Sequence, residues 1–100
     1  MTFRLLARRA AKADMHSAAR WYAGQRSGLG QEFVDELDLV LRQVAENPFP
    51  FQLVHRDARR AVVHRYPYGV LYRVEEDAVV VFCVIQLHRD PTTSQSLTSK

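Results

Sequence analysis

RRAVVHRYPYGVLYRVEEDAVVVFCVIQLHRDP, residues 59–91, is the stretch that decides the fold. It reads as three consecutive antiparallel strands. Ala61 and Val63 alternate with Arg60, Val62 and His64, the two-residue period of a half-buried strand, although the apolar Val62 leaves open which face is wet. Tyr68, Val70, Tyr72 and Val74 fall on one face of a second strand, with Gly69, Leu71 and Arg73 on the other. Tyr66-Pro67 marks the turn between them, because proline cannot donate to a ladder and fits best at a strand end. Glu75-Glu76-Asp77 is a polar turn, and the run that follows, residues 78–85, is apolar throughout. An uninterrupted Val-rich run bounded by turn residues predicts a strand covered on both faces at the centre of a sheet.

Upstream of this stretch the period changes to that of helices. Residues 3–7 have strand character, broken only by Arg4. From Ala10 onward Ala11, Met15, Ala18 and Tyr22 recur on one helical face, with Lys12 and Arg20 toward solvent and Trp21 beside the stripe as a further anchor. Gly24, Gly28 and Gly30 predict a tight reversal. A second helix runs over residues 29–46 with a stripe of Phe33, Leu37, Val40 or Leu41, and Val44. Glu32, Asp35, Glu36 and Asp38 crowd its first half, the positive end of the helix dipole. Asn47-Pro48 ends it. Residues 52–55 predict an edge strand. Neither helix can bury its stripe alone, so both must pack on the sheet. The reading is therefore α+β, in the order β-α-α-β-β-β(β), with a helical hairpin on an antiparallel sheet. Residues 1–91 form one domain, and the polar Ser/Thr-rich tail 92–100 is expected to be flexible.

The chain has 100 residues, enough for one domain. The longest apolar run is far too short for a membrane span, and Arg8, Arg9 and Lys12 fall where a signal peptide needs an apolar core. Cys83, the single cysteine, lies in the most apolar run and reads as a small buried hydrophobe in a reducing compartment, the cytoplasm. Net charge is +3, unevenly spread: residues 1–26 carry six Lys/Arg against one Asp, residues 27–50 one Arg against five carboxylates, and residues 51–73 five Arg against one Asp. The basic balance suits an anionic partner, either nucleic acid or an acidic protein.

Phosphate-binding glycine loops, zinc-spaced Cys/His pairs and nucleophile elbows are absent from the sequence, so neither metal nor cofactor is expected. What remains is an Arg/His group: Arg56, Arg59, Arg60, His64, Arg65, Arg73, His88 and Arg89. Metal-free RNA cleavage needs a base, an acid and cations for the phosphate. His64 or His88 titrates in the useful range, and arginines supply charge. Strand alternation predicts Arg60 and His64 on one face, Arg59 and Arg65 on the other.

In their order, Arg59-Arg60, Tyr66-Pro67-Tyr68, Tyr72-Arg73, Glu75-Glu76-Asp77 and Arg89-Asp90-Pro91 resemble the C-terminal half of the RelE/ParE toxins of bacterial type II toxin-antitoxin modules, often labelled plasmid stabilisation proteins. Asp14-Met15, Trp21-Tyr22, the Gly-rich turn, Phe33 and Asn47-Pro48 extend the resemblance to the N-terminal half. It implies a toxin neutralised by a cognate small acidic antitoxin in a hetero-oligomer, with no membrane association. Two activities follow from it. ParE-type members inhibit DNA gyrase and are not enzymes in doing so; RelE-type members are metal-independent endoribonucleases that cut messenger RNA on the ribosome. RelE-type chains carry Lys on the sheet and an aromatic near the C-terminus, whereas here the sheet region has no Lys and nothing aromatic follows Phe82. The hairpin and Tyr66-Pro67-Tyr68 are more ParE-like, although ParE-type chains commonly have His at the position of Gln86 and a Trp beyond the final Pro. Under the gyrase reading, Arg59, Arg60, Arg65, Arg73 and Arg89 are the target- or anion-binding candidates; under the nuclease reading, His64, His88 and Arg89 are the catalytic ones. A non-toxic binding module of the same fold is the remaining alternative.

Overall fold

The apolar faces of two long strands form a floor on which a pair of helices lies. The computed structural model describes residues 2–87. In order they form β1 (Arg4–Ala7), α1 (Arg9–Gln25), α2 (Leu29–Glu46), β2 (Gln52–His55), β3 (Ala58–Val62), β4 (Tyr68–Glu75) and β5 (Ala78–Gln86). The five strands make one sheet in the order β1-β5-β4-β3-β2. From β2 to β5 it is an antiparallel meander, and β2 lies at the edge, as its sequence implies. One expectation needs correcting. The sheet is mixed, because β1 pairs with β5 in parallel, Arg4 opposite Ala78 through Ala7 opposite Val81. The whole helical hairpin and three strands lie between the two segments, so no local pattern encodes that direction.

Ala11, Ala18 and Tyr22 of α1 and Phe33, Leu37, Val40 and Val44 of α2 are buried against Ala61, Val63, Val70, Tyr72, Val79, Val81 and Val84. Of the two alternatives for the α2 stripe, Val40 faces the core and Leu41 is only partly buried beside it. Trp21 is not an anchor: it is 57% exposed, its ring edge-on to Tyr22 with centroids 5.0 Å apart. Of the three glycines expected in the reversal only Gly28 lies there; Gly24 is still in α1. Gly30 sits in α2, where an added Cβ would come within 2.8 Å of the Ala19 carbonyl oxygen of α1. Its missing side chain is what lets the two helices close on each other.

The residues of β5 are not all covered on both faces. Residues 78–81 are buried, but Phe82 and Cys83 are half-buried and Ile85 and Gln86 exposed. A bulge explains this. Leu71 pairs with Cys83 but Tyr72 pairs with Val81, leaving Phe82 extra. The inserted residue resets the alternation, so that Val81 and Val84, three apart, both face the core. Beyond Val81, β5 has outrun β1, and Asp14 of α1 takes over: its carboxylate accepts from the Val84 N–H at 3.1 Å. Burial pushes the Cys83 thiol up, with Asp14 adding to the effect, which disfavours the reactive thiolate.

Tyr72 is fully buried and its hydroxyl donates to the Pro48 carbonyl at 2.7 Å, joining β4 to the end of α2. Burial pushes this phenol up to about 12, partly offset by Arg59. The folded state therefore holds a proton that the unfolded chain gives up near pH 10, so stability falls as pH rises from about 10 to about 12, by up to about 1.4 kcal/mol per pH unit. Below pH 10 this contribution is fully present. In Tyr72→Phe the alkaline limb is expected to flatten, at a cost of about 1–2 kcal/mol at neutral pH for the orphaned carbonyl. Urea unfolding midpoints of both proteins between pH 8 and about 12 check this; equal alkaline slopes would refute it.

Candidate functional site

Both helices pack on one face of the sheet; among the described residues nothing packs on the other. The register places Gln52 of β2, Arg60 and Val62 of β3, Gly69, Leu71 and Arg73 of β4, and Val80, Phe82, Cys83 and Ile85 of β5 on this open face. Val62 and Ile85 are exposed, Leu71 and Phe82 half-buried. The face is thus an apolar strip crossed by two guanidiniums.

Strand alternation divides Arg59 from Arg60. Arg60 lies on the open face, where its Nη2 donates to the Gln52 side chain at 3.1 Å while its buried Nε has no partner among the described residues. Its stem lies flat across Gly69: a Cβ there would meet Arg60 Cγ and Cδ at 3.1 Å and a Leu87 methyl at 3.4 Å. Gly69 is thus a seat for Arg60, which the sequence alone signals only as a glycine inside a strand. Arg59 lies on the helix side. Its Nη1 donates to the carbonyls of Phe49 and Phe51 at 2.9 and 2.7 Å, and the guanidinium stands 5.7 Å from the Phe49 ring centre. It clamps the link between α2 and β2.

Arg73 is on the open face with its guanidinium 4.8 Å from the Phe82 ring centre and its Nε 3.6 Å from the Asp57 carboxylate. His64 and Arg65 are not on a strand, because β3 ends at Val62 and residues 63–67 form a wider connection than the Tyr66-Pro67 turn expected. The alternation read for them does not reach that far. Arg65 has a positive φ of 75° and turns toward α2, with Glu32 at 3.8 Å and Glu36 at 3.9 Å. His64 is exposed on the same connection. Arg56 is exposed in the two-residue turn between β2 and β3. His88, Arg89, the Arg89-Asp90-Pro91 ending and the tail 92–100 lie outside the described residues. Of the arginines named, then, the structure brings Arg60 and Arg73 onto one face and sends Arg59 and Arg65 elsewhere. No group of three or more His, Cys, Asp or Glu suited to a metal ion occurs among the described residues, and no described helix is long and apolar enough to cross a membrane.

A second feature lies on the outer side of the helical hairpin. Met15, Ala19, Val34, Leu37 and Leu41 line an open groove of about 450 Å³, with His16, Arg20 and Asp38 at its rim. It is a largely apolar surface between α1 and α2 that reaches down to the buried stripe at Leu37.

The sequence profile of the ParE toxin of the type II toxin-antitoxin system parDE matches residues 5–91, across both the hairpin and the sheet. The chain belongs to the ParE toxin family. Solved structures agree on the fold of this toxin. A structure of the chromosomal ParDE toxin-antitoxin system from P. aeruginosa matches with a TM-score of 0.74 at 14% identity, covering 87% of this chain and 98% of that one. The isolated E. coli RelE toxin matches with a TM-score of 0.67 at 19% identity over 97% of both chains. A chain of the intact E. coli RelBE toxin-antitoxin complex gives 0.66 at 20% identity, covering 87% of this chain and 99% of that one. Comparison with curated proteins by sequence gives no significant match. The ParE-family toxin thus shares its fold with structures from both the ParDE and the RelBE systems.

Proposed function

We propose that this ParE-family toxin inhibits DNA gyrase by docking its open sheet face on the enzyme, and that a cognate small acidic antitoxin neutralises it. The observation that carries the reading is the make-up of that face. Val62, Leu71, Phe82 and Ile85 surround Arg60 and Arg73, and no Lys stands among them. Apolar and aromatic side chains with arginine but without lysine are the composition of a protein interface core. An RNA-cleaving face needs a group that titrates near neutrality beside its cations; the described histidines lie off this face or at its margin, His16 on α1, His55 at the end of β2 and His64 on the connection after β3. The groove between α1 and α2 suits an amphipathic antitoxin segment laid in by its apolar side, in the helix-in-groove manner.

Two assays run in parallel test the target: gyrase supercoiling of relaxed plasmid, and cleavage of a message programmed on ribosomes. The expected result is lost supercoiling with the message intact. Cut message with normal supercoiling would overturn the proposal in favour of a ribosome-dependent nuclease, and no effect in either would leave a binding module that has lost toxicity.

A further inference from the structure

The densest unpaired charge among the described residues is on α1, away from the open sheet face; it shares only His16 and Arg20 with the rim of the groove between the helices. At about 100° per residue, Arg9, Lys12, His16 and Arg20 fall within about 80° of one another. This is the side of the helix opposite the buried Ala11, Ala18 and Tyr22. All four are exposed, and they line a shallow trough of about 470 Å³ floored by Ala13 and Ser17. The row is roughly 16 Å long. The ion pairs of the described residues engage Arg4, Arg26, Arg42, Arg65 and Arg73, and none reaches Arg9, Lys12 or Arg20. The one carboxylate of α1, Asp14, is spent on the Val84 N–H.

These cations are also badly placed for stability. Arg8 caps α1 without a side-chain hydrogen bond, and the first turn holds no acidic residue. Arg8, Arg9 and Lys12 therefore crowd the positive end of the helix dipole, where cations are unfavourable. A fold gains nothing from this arrangement, but an anion gains both the side-chain charges and the positive end of the helix dipole.

We propose that the exposed face of α1 formed by Arg9, Lys12, His16 and Arg20 binds the phosphate backbone of a nucleic acid without regard to sequence, holding the toxin against a nucleic-acid-bound target. Nucleic acid fits better than an acidic protein because the row has no apolar anchor. Only Ala13 and Ser17 lie between the charges, whereas protein interfaces centre on aromatic and apolar residues and are depleted in Lys. Interfaces with nucleic acid are more polar and far more positive.

The test measures binding of the full chain to a fluorescent random-sequence duplex DNA by anisotropy, across a range of salt concentrations. One variant combines Arg9→Gln, Lys12→Gln and Arg20→Gln; a control combines Arg4→Gln, Arg26→Gln and Arg42→Gln, with the same loss of net charge from exposed, ion-paired sites. Gln is a good helix former, and relief at the dipole keeps the first variant folded, which a melting curve verifies. The expected result is a loss of affinity on the order of a hundredfold near 0.15 M salt for the α1 variant. The slope of log K against log salt should fall by about 2–3, and the control should bind nearly as the natural chain does. Equal losses in both variants would overturn the proposal, as would no binding by the natural chain. Polyglutamate competing as well as DNA, through the same three residues, would overturn it in favour of an acidic protein. These outcomes leave the sheet-face reading untouched, because supercoiling inhibition is read separately.

Discussion

Replacing Phe33 with Ala is expected to cost about 3–5 kcal/mol of folding stability, a large part of the roughly 5–15 kcal/mol that a domain of this kind has in all. Phe33 is fully buried and is where three parts of the chain meet. Its ring stacks on Tyr22 of α1 at 5.1 Å and stands edge-on to Tyr66 at 5.2 Å and Tyr68 at 5.3 Å. Removing it opens a cavity bordered by α1, β4 and the connection before β4, which none of them can fill without moving the helical hairpin off the sheet. Aromatic geometry adds about 0.5–1.5 kcal/mol for each such pair beyond the area buried. The measurement is urea unfolding followed by far-ultraviolet circular dichroism. A midpoint shift equivalent to less than about 1 kcal/mol would mean that the aromatic cluster does not hold the hairpin in place.

The second large effect separates two neighbours in the sequence. Arg59→Met is expected to lower stability by about 1.5–3 kcal/mol, because two carbonyls of the α2–β2 link lose a charged donor. Arg60→Glu is expected to leave stability within about 0.5–1 kcal/mol of the natural chain. It should abolish target inhibition, since it reverses a charge at the middle of the open face. Gly69→Val tests the same point without touching the charge. Its side chain would take the space of the Arg60 stem, so inhibition should drop while melting temperature holds. If Arg59→Met alone abolished inhibition in a fully folded protein, the division of roles between the two arginines would be wrong.

That division also shows what could be read from the chain. The period of two in residues 59–63 is enough to put adjacent arginines on opposite faces, and the helical stripe with Asn47-Pro48 is enough to bound α2 at Leu29–Glu46. These signals are local, written in side-chain polarity at fixed spacing. What was not legible depends on contacts distant in sequence. The parallel partner of β1 is chosen by where the helical hairpin returns the chain. The bulge at Phe82 is invisible in a run where every residue is apolar, because a shift of register changes no polarity there. Arg65 looks like a strand residue until Glu32 and Glu36 are brought beside it by the packing of α2 on the sheet. Of the row on α1, Lys12 and Arg20 were readable as exposed charge but not as unpaired charge, since pairing depends on which carboxylates the fold brings near.

The open sheet face and the groove on the helices make sense together if the chain is a toxin whose partner covers one surface while its target takes the other. Growth after induced expression in a bacterial host tests that most directly, with the natural chain produced alone or together with its antitoxin. The account predicts arrest when the toxin is made alone, relief when the partner is co-produced, and no arrest with Arg60→Glu at equal protein level. Undisturbed growth with the natural chain, folded and abundant, would contradict it.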